Sequence, residues 1–296
     1  MRVQHGKGPV NAADPISSGD PMTTGTEWQA RVGESWAREW RRTDRSFGVL
    51  TTQLIEVAMA STYAFSLDIG CGAGELTVRL AQACPSSRHL GVDISEELLA
   101  VARERVRNLP NARVDMADAA CWKADVPIKP DLLVSRHGVM FFENPVSAFT
   151  HLRGEAAPDA RLVFSCFRER EANAWATELA SVLGQGPVSN NPREPGPFAF
   201  GDKEYVAQLL GEAGWRDVVF EQMDYPMIAG KGANAIADAV SYFRVIGPAA
   251  RGLAQLNSAE REVAIERLAA MLGGHLQDDC VSLPASCWIV TAQANH

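Results

Sequence analysis

No apolar run in this 296-residue chain approaches the roughly 20 residues needed to span a bilayer, so no membrane insertion is expected. Residues 1–20 lack the apolar core of a secretory signal, and a cytoplasmic protein is expected. Cysteine is sparse and unpatterned: Cys71, Cys84, Cys121, Cys166, Cys280 and Cys287 form no CxxC pair and no zinc-finger spacing with histidine. That predicts buried free thiols in a reducing compartment and no metal site. A basic excess is also missing. Lys and Arg number 28 against 36 Asp and Glu, a net charge of −8. Binding a phosphate backbone normally needs a basic patch, so no nucleic-acid partner is expected. Internal repeats and low-complexity blocks are absent as well.

What remains is ordinary globular material, 46% hydrophobic and 22% charged, long enough to bury a sizeable core without disulfides or metals. Residues 1–24 are polar, with Gly, Pro and Ser scattered without period, and read as a disordered tail. Met22 is a second plausible start within it. Residues 25–60 read as helices. Trp28, Val32, Trp36 and Trp40 recur every fourth residue, one helical face that either packs on the core or covers a pocket.

From 61 to 170 short apolar runs alternate with helical segments, the signature of βαβ units and a parallel sheet. Strands are expected at 64–69, 89–92, 112–116, 131–135 and 161–167, and helices at 75–83, at 95–107 and from Asn144-Pro145 onward. Residues 171–296 carry the rest of the sheet. A loose stretch at 171–198 precedes a helix over 202–213 and a strand near 217–224. Residues 232–273 read as helical, within a lid or substrate insertion at about 225–275, and 285–292 as a last strand.

The chemistry concentrates after the first strand, where Ser66-Leu-Asp-Ile-Gly-Cys-Gly-Ala-Gly-Glu75 runs into a glycine-rich turn that opens a helix. Glycines at 70, 72 and 74 let backbone approach a ligand closely. Asp93, at the tip of the next strand, suits a ribose diol. These features alone indicate an adenosine-type ligand. A dinucleotide site, G-x-G-x-x-G, would place Gly where Glu75 stands, and the Asp68 carboxylate beside the loop would repel a pyrophosphate. An ammonium and a sulfonium would instead be attracted to it.

The segment resembles the class I S-adenosylmethionine-dependent methyltransferases, whose Asp-x-Gly-x-Gly-x-Gly motif is matched by Asp68, Gly70, Gly72 and Gly74. The likeness continues through Gly91-Val-Asp-Ile-Ser95, Asp115-Met-Ala-Asp118-Ala119, Asp131-Leu-Leu-Val-Ser135 and Leu152-Arg-Gly. Pro158-Asp159-Ala160 stands where the family usually has Pro-Gly-Gly. Ser135-Arg-His-Gly-Val-Met-Phe-Phe142 and Pro195-Gly-Pro-Phe-Ala-Phe200 are similar to a bacterial small-molecule branch, ubiquinone/menaquinone-biosynthesis-like. The resemblance implies an α/β fold: a doubly wound, mostly parallel seven-stranded sheet of the Rossmann-like methyltransferase kind, with a helical lid insertion.

It also implies site roles. Gly70, Cys71 and Gly72 would offer backbone to the methionine portion of S-adenosylmethionine, with Asp68 and the Ser135 carbonyl near its ammonium. Asp93 would hold the ribose, Ile94 would pack on the adenine, and Asp118 and the Ala119 amide would bond its edge. S-adenosylhomocysteine would be the product, and the methyl acceptor would be O, N or C of a small, uncharged or aromatic molecule.

His137, just past the fourth strand, is a candidate base or orienting group, with packing or cofactor contact the alternative. Arg136 is either an acceptor contact or a structural ion pair, and His151 a surface or packing residue. Tyr242 and Arg244 could meet an acceptor or simply pack a helix. Phe141, Phe142, Phe198 and Phe200 are expected to make the pocket apolar. Two rival readings stay open: a catalytically silent S-adenosylmethionine or S-adenosylhomocysteine binder, and a dinucleotide-dependent oxidoreductase. A base-methylating enzyme would call for an Asn/Asp-Pro-Pro-Tyr motif after the fourth strand, and none is there. Oligomeric state is not readable.

Overall fold

In the computed structural model, which describes residues 31–124, 128–184 and 193–294, the short apolar runs pair side by side. Three helices come first, α1 (Arg31–Arg38), α2 (Trp40–Ser46) and α3 (Gly48–Ala58). Then follow β1 (Phe65–Ile69), α4 (Glu75–Ala83), β2 (Arg88–Asp93), α5 (Glu96–Val106), β3 (Ala112–Met116), β4 (Leu132–Arg136), α6 (Pro145–Glu155) and β5 (Arg161–Phe167). The five strands are parallel, in the order β3-β2-β1-β4-β5. β1 is buried along its whole length, as expected of a parallel strand covered on both faces.

Strand order reverses at β1, from which the chain builds outward in both directions. Right-handed crossovers then put α4 and α5 on one face and α6 on the other. The β1/β4 boundary is therefore the switch point, beyond whose carboxyl ends a ligand crevice opens. Local sequence supports the frame. The Ser95 hydroxyl caps α5 by accepting from the Leu98 N–H. Asn144 caps α6 at the Ser147 N–H, with Pro145 in the first turn, where its missing donor costs nothing.

The remaining elements are α7 (Ala174–Val182), α8 (Lys203–Glu212), β6 (Arg216–Lys231), α9 (Ala235–Phe243), α10 (Pro248–Gln255), α11 (Ser258–Gly273), β7 (Leu276–Gln277) and β8 (Cys280–Gln293). β8 runs antiparallel to β5, and β6 antiparallel to β8. These complete the expected row of seven, and the two-residue β7, folded back on β8, makes the sheet eight-stranded.

Three expectations change. The loose stretch after 171 contains α7, which buries Trp175, Ala176, Leu179 and Ala180, a helical spacing. Residues 185–192 lie outside the described residues. The helical insertion begins later than 225, because β6 continues to Lys231 with Tyr225, Met227 and Ala229 buried at alternate positions, and its helices are α9 to α11. Cys71, Cys166 and Cys287 are buried, but Cys121 is exposed. The tail, Met22 and Trp28 fall outside the described residues. Among the described residues no helix is long and apolar enough to cross a membrane.

Candidate functional site

The turn after β1 favours glycine. Gly70, Gly72 and Gly74 all take positive φ, +65°, +55° and +83°, a region that disfavours a Cβ. Three of the turn's amides are spent internally. The Cys71 N–H donates to the Val92 carbonyl at 3.0 Å and the Gly74 N–H to the Cys71 carbonyl at 2.9 Å. The Gly72 N–H donates to the Asp93 carboxylate at 2.8 Å. A pyrophosphate site depends on amides of this kind being free. Glu75, in the first turn of α4, stands where a dinucleotide motif would have glycine, and it pairs with Arg105. The arrangement opposes the dinucleotide reading.

The loop after β4 lies directly on this turn. A Cβ on Gly138 would stand 2.6 Å from the Ile69 carbonyl oxygen, 2.9 Å from the Ser135 hydroxyl and 3.2 Å from the Gly70 Cα. Replacing Gly138 by alanine is therefore expected to force the two loops apart and to cost on the order of 1–3 kcal/mol of stability. A urea melt reads this directly; an unchanged midpoint would show that the loops have room.

A cavity of about 510 Å³ opens at the carboxyl ends of β1, β2, β4 and β5. Its floor includes Asp68, Gly70, Cys71 and Gly72; Asp93 and Ile94 line it from β2, and Asp118 and Ala119 from the segment after β3. Asp68 is only 2% exposed, and its carboxylate accepts from the Thr77 hydroxyl at 2.6 Å. Burial raises its pKa to about 6, although the Thr77 hydroxyl and the Arg136 charge pull the other way. Asp93 is half-buried and raised by burial, while backbone N–H groups of Ser95, Gly72 and Ile94 lower it. Asp118 is exposed, with one oxygen accepting from the Ala120 N–H at 2.8 Å.

Arg136, His137, Phe141 and Tyr242 line the other end of the cavity. Arg136 donates to the Thr51 hydroxyl at 2.8 Å and to Asp44 at 3.3 Å, so it is an ion pair and a cavity wall at once. The Tyr242 hydroxyl lies 3.3 Å from that of Thr43. His137 takes φ +63°, uncommon away from glycine. Its ring stacks on Phe167 at 4.1 Å and meets Phe47 edge-on at 5.4 Å. Burial and the neighbouring Arg136 charge lower its pKa to about 3, so the imidazole is neutral at physiological pH. Nδ1 faces the Ser165 hydroxyl at 3.4 Å, while Nε2 is buried without a hydrogen-bond partner.

Two expected residues lie off the cavity. The Ser135 hydroxyl donates to the Ile69 carbonyl at 2.7 Å and accepts from the Gly138 N–H at 3.1 Å, which ties the β4 loop to the glycine turn. Arg244 is exposed and borders a separate shallow groove. It lies two residues after Tyr242, about 200° around a helix of 3.6 residues per turn, so the two cannot share a face.

The aromatic pocket also differs from expectation. Phe142 lines the cavity, but Phe200 packs in the core against Phe149 and Phe164, and Phe198 stacks on Trp175. His151 is half-buried, its Nε2 against the Trp122 carbonyl.

Sequence reasoning missed Thr43, Asp44, Phe47, Phe167, Trp175 and Met227, all of which line the cavity. Thr43, Asp44 and Phe47 extend the Trp36–Trp40 face by one further turn, and Trp36 and Trp40 both cover the cavity. Phe167 sits at the carboxyl end of β5, where the switch-point rule directs attention. Both signals were available. Asp44 pairs with Arg136 and Arg105, and Arg105 in turn with Glu75, which binds the helical cover to the glycine turn.

Comparison with known proteins agrees with this geometry. Residues 67–158 match the family model described as a methyltransferase domain. A trans-aconitate 2-methyltransferase of Paracidovorax citrulli is 29% identical over 168 residues, 56% of this chain and 60% of that protein. The chain spans about half the length of the curated relatives it matches. Among solved structures, a Haemonchus contortus phosphoethanolamine N-methyltransferase 2 in complex with S-adenosyl-L-methionine superposes with TM-score 0.53 at 16% identity, covering 92% of this chain and 60% of that one. The cyclase SpnF superposes at 0.54 and 16%, covering 94% and 100%. Both likenesses speak for the fold alone. The family match falls on the strand–turn–helix that carries Asp68 and the three glycines, so residues 67–158 are similar to a methyltransferase domain.

Proposed function

We propose that the protein is an S-adenosylmethionine-dependent methyltransferase acting on O, N or C of a small, uncharged or aromatic molecule. We place it in the cytoplasm with no nucleic-acid partner, in keeping with its acidic balance. One observation carries the cofactor reading. Asp68 is buried beside the cavity and, among the described residues, has no cationic group within ion-pair distance. A buried carboxylate without such a partner is costly and fits a ligand that brings an ammonium.

In this reading the glycine turn holds the methionine portion, Asp68 its ammonium, and Asp93 the ribose. Ile94 packs on the adenine, with Asp118 and the Ala119 amide at its edge. Bound there, S-adenosylmethionine supplies a methyl whose leaving group is already activated by the sulfonium charge. The chain contributes alignment for in-line displacement, worth several kcal/mol in principle, and a cover of Trp36 and Trp40 that limits water. His137, neutral and with a pKa near 3, is a weak base, because efficient bases titrate near the working pH.

Turnover is therefore expected to show no inflection at the ordinary histidine value of 6.5. With an ionisable acceptor it should rise with the acceptor's own deprotonation. A kcat profile from pH 5 to 9 measures this, and a bend near 6.5 shared by acceptors of different acidity would restore His137 as base. The activity itself is tested with isotopically labelled S-adenosylmethionine and a small-molecule extract, read by mass spectrometry. A labelled product establishes the enzyme. S-adenosylhomocysteine binding without any product would favour the silent binder.

A further inference from the structure

His137, at the acceptor end of the cavity, carries one polar atom with nothing to do. His137 Nε2 is buried and unpartnered, while the same residue is 8% exposed and lines the cavity. Leaving a buried polar atom unpaired costs roughly 1–3 kcal/mol, and this one sits on a residue held at positive φ, a strain that clusters at functional sites. The inner side of the ring faces Ser165. Its carbonyl accepts the His137 backbone N–H at 3.2 Å, and its hydroxyl lies 3.4 Å from Nδ1. With the ring proton on Nδ1, directed there, Nε2 keeps its lone pair and accepts hydrogen bonds.

The walls around that lone pair are flat and apolar. Phe47 and Phe167 flank the ring, and Trp175, Met227 and Phe243 line the same space. The charge lining is acidic: Asp44, Asp68, Asp93, Asp118 and Glu143 face a single described guanidinium, Arg136, which Asp44 already engages. A polycarboxylate such as the trans-aconitate named for several relatives would meet like charge with no free described cation to receive it.

Resting on the methyltransferase reading, we infer that the acceptor is an uncharged planar molecule that donates an O–H or N–H to Nε2 of His137, and that this bond selects it against polyanions and aprotic analogues.

The test is calorimetry on the full chain loaded with S-adenosylhomocysteine, using naphthol, its methyl ether and trans-aconitate as probes. Naphthol is expected to bind at least about fivefold tighter than the ether, one buried hydrogen bond's worth, and trans-aconitate to show no saturable binding. In His137→Phe, which keeps a ring but removes the nitrogen, the ratio should fall to about one. S-adenosylhomocysteine binding reports whether that variant folds, and the wild-type ratio stands without it. Equal affinity for naphthol and its ether, no naphthol binding, a ratio that survives in His137→Phe, or saturable trans-aconitate binding would each overturn the inference. Failure of S-adenosylhomocysteine to bind the wild type would instead overturn the cofactor reading beneath it.

Discussion

Asp68→Asn is expected to make the ligand-free protein more stable at pH 7 while weakening its hold on S-adenosylhomocysteine. The carboxyl titrates near 6 in the fold against an ordinary 3.8, and burial is the main cause. That gap corresponds to about 3 kcal/mol of cost for carrying the charge at neutral pH. The asparagine oxygen can still accept from the Thr77 hydroxyl, which now stands 2.6 Å from the carboxylate, so the variant removes the charge and keeps the contact. An ammonium in the cavity would lose its counterion. Effects of opposite sign on stability and affinity distinguish a ligand-facing carboxylate from a structural one. A variant that loses stability would show that the charge is satisfied within the protein.

The pH dependence follows with a definite sign. A carboxyl raised by folding contributes stability that is complete below 3.8 and is lost as pH rises through about 6. His137, depressed from 6.5 to about 3, works the other way: its contribution is present above 6.5 and is lost as pH falls through 3. The two overlap, so the Asp68 effect is best read as the difference between wild type and Asp68→Asn at each pH. That difference should grow between pH 4 and 6 and then level off. In the same window S-adenosylhomocysteine affinity should rise with pH and binding should release protons. Calorimetry in buffers of different ionisation enthalpy measures both.

The parallel half of the sheet was legible because each βαβ unit repeats a local signal: a short apolar run, a capped helix, another run. The cofactor end of the site was legible for the same reason, since Asp68, the glycines and Asp93 lie within one such unit. The acceptor end was not. Its walls come from α2, the β4 loop, β5, α7, β6 and α9, brought together only by tertiary packing, so no spacing in the chain marks them. Phe200 and Arg244 show the limit from the other side. Each has the right chemistry near the right segment, but the turn before α8 buries Phe200 in the core and helix geometry leaves Arg244 in solvent. The extension of β6 to Lys231 was hidden because Pro226 and Gly230, residues that ordinarily argue against a continuing strand, stand within it.

Asp93→Ala is expected to weaken S-adenosylhomocysteine binding by at least about tenfold, for two reasons that can be separated. A carboxylate offers about four acceptor sites. The Gly72 N–H at 2.8 Å and the Ser95 N–H at 2.9 Å take two, and the Ile94 N–H adds a further bond, which leaves at least one site for the ribose hydroxyls. Each charged hydrogen bond is worth about 1.5–3 kcal/mol. Alanine therefore removes the ribose contacts directly and also releases the clasp that holds the glycine turn against the start of α5. Asp93→Asn isolates the clasp: its oxygen can keep one amide, but its NH₂ would point a donor at the other N–H. If the turn is what matters, asparagine should lose stability in a urea melt nearly as alanine does. If the ribose contacts dominate, asparagine should keep most of the affinity, since an amide can still bond a diol. Unchanged affinity in Asp93→Ala would remove Asp93 from the ligand site and leave it as the clasp alone.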